Sequence, residues 1–170
     1  MTNFTWNELD DRAIAMTRAL AADAVQKVGN GHPGTAMSLV PCAYLVFQKH
    51  LRHDPSDPNW VGRDRFVLSV GHSSLTLYLQ LFLSGYPLSL DDLKSFRTAH
   101  SQTPAHPEFG HTPGVETTTG PLGQGIANAV GLALAAKYEK SKINSAKYSD
   151  LVDPTIYCLA GDGCIQEGVS

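Results

Sequence analysis

The sequence predicts an α/β fold, a mostly parallel sheet flanked by helices, from three observations. Apolar residues recur at helical spacing over long stretches. Two short apolar runs, Phe66–Val70 and Thr155–Ala160, have strand character and are separated by helical segments. Each run ends in a glycine-bearing turn, Gly71-His72 after the first and Gly161-Asp162-Gly163 after the second. Strands alternating with helices favour parallel pairing, because a parallel connection needs a crossover. The 170 residues, 42% hydrophobic and 17% charged, suffice for one domain with a sizeable core, and no domain boundary is expected within 1–170.

In chain order, Thr5-x-x-Glu8 has the form of a capping box before a helix that should stop near Gly29. Leu9, Ala13, Met16, Leu20 and Ala24 form one stripe of that helix. Ile14, Ala21, Val25 and Val28 form a second, which predicts packing on more than one side. After the break Asn30–Gly34, a second helix is expected from about Thr35 to His50, bent by Pro41. Arg52–Asp64 reads as an irregular connection. Ser73 or Ser74 should cap a helix running to about Ser84, and Leu90–Phe96 reads as another short helix. The segment 100–120, rich in His, Pro and Gly, reads as a long loop of the kind that is often functional. A helix from Ile126 to about Lys140 and a polar linker, 141–153, lead to the last strand.

Composition excludes several classes. A net charge of −3 with interspersed signs gives no electrostatic case for nucleic acid or an anionic membrane. No apolar run approaches the roughly 20 residues that span a bilayer. Cys42, Cys158 and Cys164 are too few for a disulfide framework, and the first residues lack the pattern of a signal peptide. A cytoplasmic protein is expected.

Three features carry candidate chemistry. A strand ending in Gly161-Asp162-Gly163 puts a carboxylate at the sheet edge where open α/β folds place ligands. Asp162 reads either as a cation ligand or as a turn residue. Gly120–Gly125 opens a helix and reads either as a phosphate-binding turn, its N–H groups at the positive end of the dipole, or as a plain helix start. It satisfies neither the dinucleotide nor the Walker pattern, which disfavours a nucleotide-binding protein. His32, His72, His106 and His111 sit in loops beside Gly or Pro without zinc-site spacing. They are surface residues or members of a hydrogen-bonding, proton-transferring pocket.

Taken together and in order, these segments resemble the amino-terminal region of transketolases. Gly31-His32-Pro33-Gly34 resembles that family's first histidine motif, and Asp64–Ser69 with Gly71-His72-x-Ser74 its second. Ser101-x-Thr103-Pro104-Ala105-His106-Pro107-Glu108 is similar to the third, with Ala105 where the family has Gly. Gly114–Gly125 is an uninterrupted match, and Gly161-Asp162-Gly163 with Glu167-Gly168 resembles the opening of the thiamine-diphosphate motif. The resemblance implies a thiamine-diphosphate-binding fold whose cofactor is held through a divalent metal (Mg²⁺, Ca²⁺ or Mn²⁺). By the same resemblance Asp162 would ligate the metal, and Gly163 would lie against the diphosphate. Gly120, Pro121 and Leu122 would line the cofactor, His72 would bond near its diphosphate, and Glu167 would join a carboxylate network at a homodimer interface. His32 and His106 would contact hydroxyls of the ketose donor and assist proton transfer.

The implied reaction moves a two-carbon glycolaldehyde unit from a ketose phosphate to an aldose phosphate in the pentose phosphate pathway. The sister enzymes dihydroxyacetone synthase and 1-deoxyxylulose-5-phosphate synthase are the nearest alternatives. A non-catalytic partner-binding domain is the alternative of another class. In the resembled family the metal motif continues to an Asn beyond Ser170 and later domains follow. The 170-residue chain is therefore expected to be an incomplete, inactive part of such an enzyme, with an unpaired sheet edge and exposed apolar surface.

Overall fold

The computed structural model describes residues 5–170; part of the amino-terminal stretch read for a signal peptide, 1–4, lies outside them. The chain divides into two compact units, crossing between them after His50, Gly71 and Ala105.

The first unit takes the chain up to His50 together with His72–Ala105 and is helical. Helix α1, Glu8–Val28, begins on Asn7 and not on Thr5. Asn7 Oδ1 accepts the Leu9 N–H at 2.8 Å, and the Asp10 carboxylate accepts the Asn7 N–H at 3.0 Å. Both Thr5-x-x-Glu8 and Asn7-x-x-Asp10 satisfy the capping pattern, and the better N-cap residue type takes the position. The helix stops as expected at Gly29, in the left-handed conformation at φ 74°. The buried face comprises Asp10, Ile14, Thr17, Ala21, Ala24 and Val25, most of one predicted stripe together with Ala24 from the other. Leu9 and Met16 of the other stripe are exposed.

Helix α2, Pro33–Leu45, starts earlier than the pattern suggests because Pro33 suits the first helical turn. Beyond Leu45 the backbone loosens into a π-turn, Val46–His50. Pro41 has no N–H to offer the Met37 carbonyl, and Arg18 Nε of α1 donates to that oxygen instead, at 3.2 Å. Buried Asp10 accepts from Tyr44 Oη at 2.9 Å and pairs with Lys49 Nζ at 2.9 Å, so α1 is bolted to the π-turn. Hydrogen bonding to Lys49 holds Asp10 below the usual carboxylate range. Burial and Asp10 push the Tyr44 hydroxyl up to about 12.

Helix α3, Ser74–Leu83, is buried from Ser74 through Leu81. Its N-cap position, Ser73, makes no capping bond; the hydroxyl pairs with Thr76 Oγ1 at 2.7 Å. Helix α4, Leu90–Lys94, is shorter than expected and starts on a capping box between Ser89 and Asp92.

The second unit, Leu51–Gly71 with His106–Ser170, holds the sheet. Strands β1, Arg65–Leu68, and β2, Ile156–Leu159, pair in parallel, with Arg65 opposite Ile156 and Leu68 opposite Leu159. The α/β class with parallel strands is as expected, and the described residues contribute two strands to the sheet. Asp64 sets the register. Its carboxylate, 4% exposed, accepts from the Arg52 N–H at 2.8 Å, Arg52 Nη2 at 3.1 Å and the Thr155 N–H at 2.7 Å. Helix α5, Gln124–Ile143, packs on both strands and begins two residues before the expected start. It leaves Val130, Leu134 and Tyr138 exposed. The short helix α6, Asp162–Ile165, follows β2, so Asp162 opens a helical turn. Among the described residues no helix is long and apolar enough to cross a membrane.

Candidate cofactor and substrate site

In the second unit the site is built from backbone in close contact. Beyond β1 the ladder continues through Ser69, whose N–H donates to the Leu159 carbonyl at 2.9 Å. The fully buried Ser69 hydroxyl accepts the Ile126 N–H at 3.0 Å and so caps α5 from outside, where its own N-cap, Gly123, has no side chain to do so. Thr119 Oγ1 donates to the Leu68 carbonyl at 2.8 Å. A methyl group on Gly125 would stand 2.4 Å from Ser69 Cα, and one on Gly71 would stand 2.5 Å from the Gly120 nitrogen. The turn Gly120–Gly125 is thus pressed onto the end of β1.

The turn after β2 meets the same segment. A methyl on Gly163 would approach Leu122 Cδ1 to 3.1 Å, and one on Gly123 would meet Glu167 Cβ at 2.8 Å. Between them lies the buried thiol of Cys164. Burial works to raise its pKa, but hydrogen bonds involving the Gly123 backbone, the Ser69 side chain and the Gly161 backbone outweigh it, leaving the thiol below its ordinary value. His106, carried on the irregular 100–120 segment, lies over Gly120, with a ring carbon 3.4 Å from where a Gly120 Cβ would be.

The loop before the turn is held by charge. Glu116 takes two hydrogen bonds from Arg63, at 2.7 and 3.0 Å, and lies 3.4 Å from Arg65 Nη1. These are bidentate, largely buried contacts that fix orientation as well as position.

Asp162 stands at the first position of α6, exposed, and its carboxylate has no partner among the described side chains. An unpaired carboxylate beside a glycine-lined turn fits a divalent cation with a diphosphate. The Ile126 N–H of α5 is committed to Ser69 and is not free to meet an anion. No cluster of three or more His, Cys, Asp or Glu able to hold a metal occurs among the described residues, so Asp162 is a single candidate ligand.

In the first unit, His32 and His72 come together with ring centroids 5.0 Å apart, edge to face. His32 occupies the N-cap of α2 and is exposed. His72 lies in the 3₁₀ turn Gly71–Ser73 and is partly buried. Ser74 Oγ donates to the Ala105 carbonyl at 2.8 Å, anchoring the backbone just before His106. Sequence reasoning brought His32, His72, His106, Gly120, Pro121, Leu122, Asp162, Gly163 and Glu167 into view. It did not single out Ser69, Glu116 or Arg97, because an external cap, an ion pair across 53 residues and a strained backbone leave no local pattern.

The profile of the family described as "Transketolase, thiamine diphosphate binding domain" matches residues 9–170. The chain belongs to that family. Transketolase of Mycobacterium tuberculosis is 61% identical over 167 residues, which are 97% of this chain and 24% of the relative. The transketolase of Leishmania mexicana superposes with a TM-score of 0.90 at 48% identity, covering 94% of this chain and 24% of that one. The Pichia stipitis transketolase solved in complex with sedoheptulose 7-phosphate gives 0.93 at 48% identity, over 96% of this chain and 24% of that one. The chain therefore spans about a quarter of the length of the relatives it matches.

Proposed function

We propose that the chain is the cofactor-binding amino-terminal part of a transketolase, acting within a longer cytoplasmic homodimer. The observation that carries this reading is the turn Gly120–Gly123, held against β1 and α6 with Asp162 unpaired beside it, in a chain of this family. Bound thiamine diphosphate would supply the electron sink that lets a two-carbon unit pass from a ketose phosphate to an aldose phosphate. Asp162 ligates the divalent metal, Mg²⁺ in the first instance, with Ca²⁺ or Mn²⁺ as substitutes. Gly163 and the backbone of Gly120, Pro121 and Leu122 line the cofactor without side chains in the way. His72 donates toward the diphosphate, while Glu167 belongs to a carboxylate network at the dimer interface. His32 and His106 hydrogen-bond donor hydroxyls and move protons at those oxygens, a role imidazole suits near neutrality. The sugar-phosphate complex of the Pichia stipitis relative supports the substrate class.

The test is a coupled assay of the full-length protein with xylulose 5-phosphate and ribose 5-phosphate, with and without thiamine diphosphate and Mg²⁺. Cofactor-dependent turnover that falls at least 100-fold in Asp162→Ala, and is impaired in His106→Ala, is expected, on the order of the loss of a charge-stabilising contact. A folded, cofactor-binding protein inactive on these sugars would move the reading to a sister enzyme.

A further inference from the structure

Arg97 is one of two non-glycine residues with positive φ among those described, at 62°, the other being His100 at 61°. Such a backbone persists only where its surroundings over-determine it, and it clusters at ligand-binding positions. Here the surroundings are a ladder of hydroxyls. Thr103 Oγ1 donates to the Asp92 carbonyl at 2.7 Å, Ser101 Oγ lies 2.9 Å from Thr103 Oγ1, and Ser95 Oγ lies 3.0 Å from Ser101 Oγ. The Arg97 N–H closes the loop onto the Thr103 carbonyl at 3.0 Å.

This frame aims the guanidinium at the histidine turn of the same unit. A methyl on Gly31 would stand 3.2 Å from Arg97 Nη1, and Gly31 itself has φ 129°, so the arginine lies over the residue preceding His32. The Phe96 ring, 3% exposed, supports the guanidinium carbon at 5.9 Å. No described carboxylate pairs with it: Asp91 is taken by Lys94, and Asp92 by the cap at Ser89. A half-buried, rigidly presented arginine with its donors unspent, beside an imidazole pair, is equipped to grip adjacent oxygens on a ligand.

Resting on the transketolase reading, we propose that Arg97 is a substrate-binding residue whose guanidinium takes oxygens of the ketose donor next to those held by His32. It sets donor affinity and orientation, and leaves cofactor binding to Asp162, the glycine turn and His72.

The test uses the full-length protein as wild type, Arg97→Gln and Arg97→Lys. Donor KM, kcat, half-saturation by thiamine diphosphate and Tm are measured with a phosphorylated ketose and its unphosphorylated counterpart. The proposal expects donor KM to rise about tenfold or more in Arg97→Gln with both donors, the change associated with one lost charge-assisted contact. Cofactor half-saturation and Tm should hold, and Arg97→Lys should recover part of the loss. An unchanged donor KM overturns it, as does a parallel loss of Tm and cofactor affinity, which marks a structural arginine. A loss confined to the phosphorylated donor also overturns it, by moving the contact to the phosphate. A wild type without cofactor-dependent turnover fails the transketolase reading itself, and this inference with it.

Discussion

The two units differ in how tightly their glycines are packed: every described glycine whose added methyl would come within 3.0 Å of a neighbour lies in the sheet unit. In the helical unit Gly29, Gly34 and Gly85 face open space, and Gly29 and Gly85 are required by φ values of 74° and 86°. In the sheet unit Gly71, Gly123 and Gly125 would each drive a methyl to within 2.8 Å of a neighbour. The helical unit holds the starts of α1 and α4 by caps, Arg97 by a ladder of hydroxyls and α1 by one buried ion pair, so its precision lies in side chains. The sheet unit brings backbone against backbone, which is what a surface cradling a diphosphate needs, and so it has little room for change.

The largest expected effect breaks the contact on the sheet side. Gly125→Ala should destabilise the chain by about 3 kcal/mol, as overpacking against backbone does, because Ser69 Cα cannot yield. Chemical denaturation measures it, and a loss under half that would mean the two segments separate easily.

On the helical side the corresponding probe is Gln80, fully buried in α3 with both amide atoms unpartnered. Gln80→Met keeps the shape and removes the unsatisfied amide, so stability should rise by about 1–2 kcal/mol. A fall would reveal a partner for the amide in solution, such as an internal water.

A smaller effect concerns pH. The folded pKa of Asp10 is depressed, so its contribution is fully present above the ordinary value of 3.8 and fades as pH falls through the lower folded value. Tyr44 is raised to about 12, so its contribution is complete below pH 10 and fades between 10 and 12. Lys49→Met should shrink the acid-side dependence, read as Tm against pH, and leave Gly125→Ala's deficit untouched.

Smallest of all, Gly34→Ala meets nothing within 4 Å and lies in the first turn of α2. It should be neutral or stabilising by about 0.5 kcal/mol.

Much of this was legible in the sequence where the signal is local. Gly29 as a helix stop, the strand runs before Gly71 and Gly161, and the glycine turn before α5 follow from composition at fixed offsets. The start of α1 was misplaced because two overlapping segments satisfy one capping pattern. Neither the π-turn after Leu45 nor the Arg18 contact that takes up the Met37 carbonyl is encoded in any periodicity. The same holds at the site. Histidines beside glycines announce themselves, whereas Ser69 acquires its role only when β1 meets α5, 57 residues away.

The central claim is that Asp162 and the glycine turn together hold a metal-bound diphosphate. The most direct measurement is calorimetric titration of thiamine diphosphate into the full-length protein, with Mg²⁺ present or chelated, for wild type and Asp162→Asn. The account predicts saturable binding that needs Mg²⁺ in the wild type and weakens at least tenfold in Asp162→Asn, in line with loss of a charged metal ligand. Equal affinity in the two proteins, or binding indifferent to Mg²⁺, would contradict it.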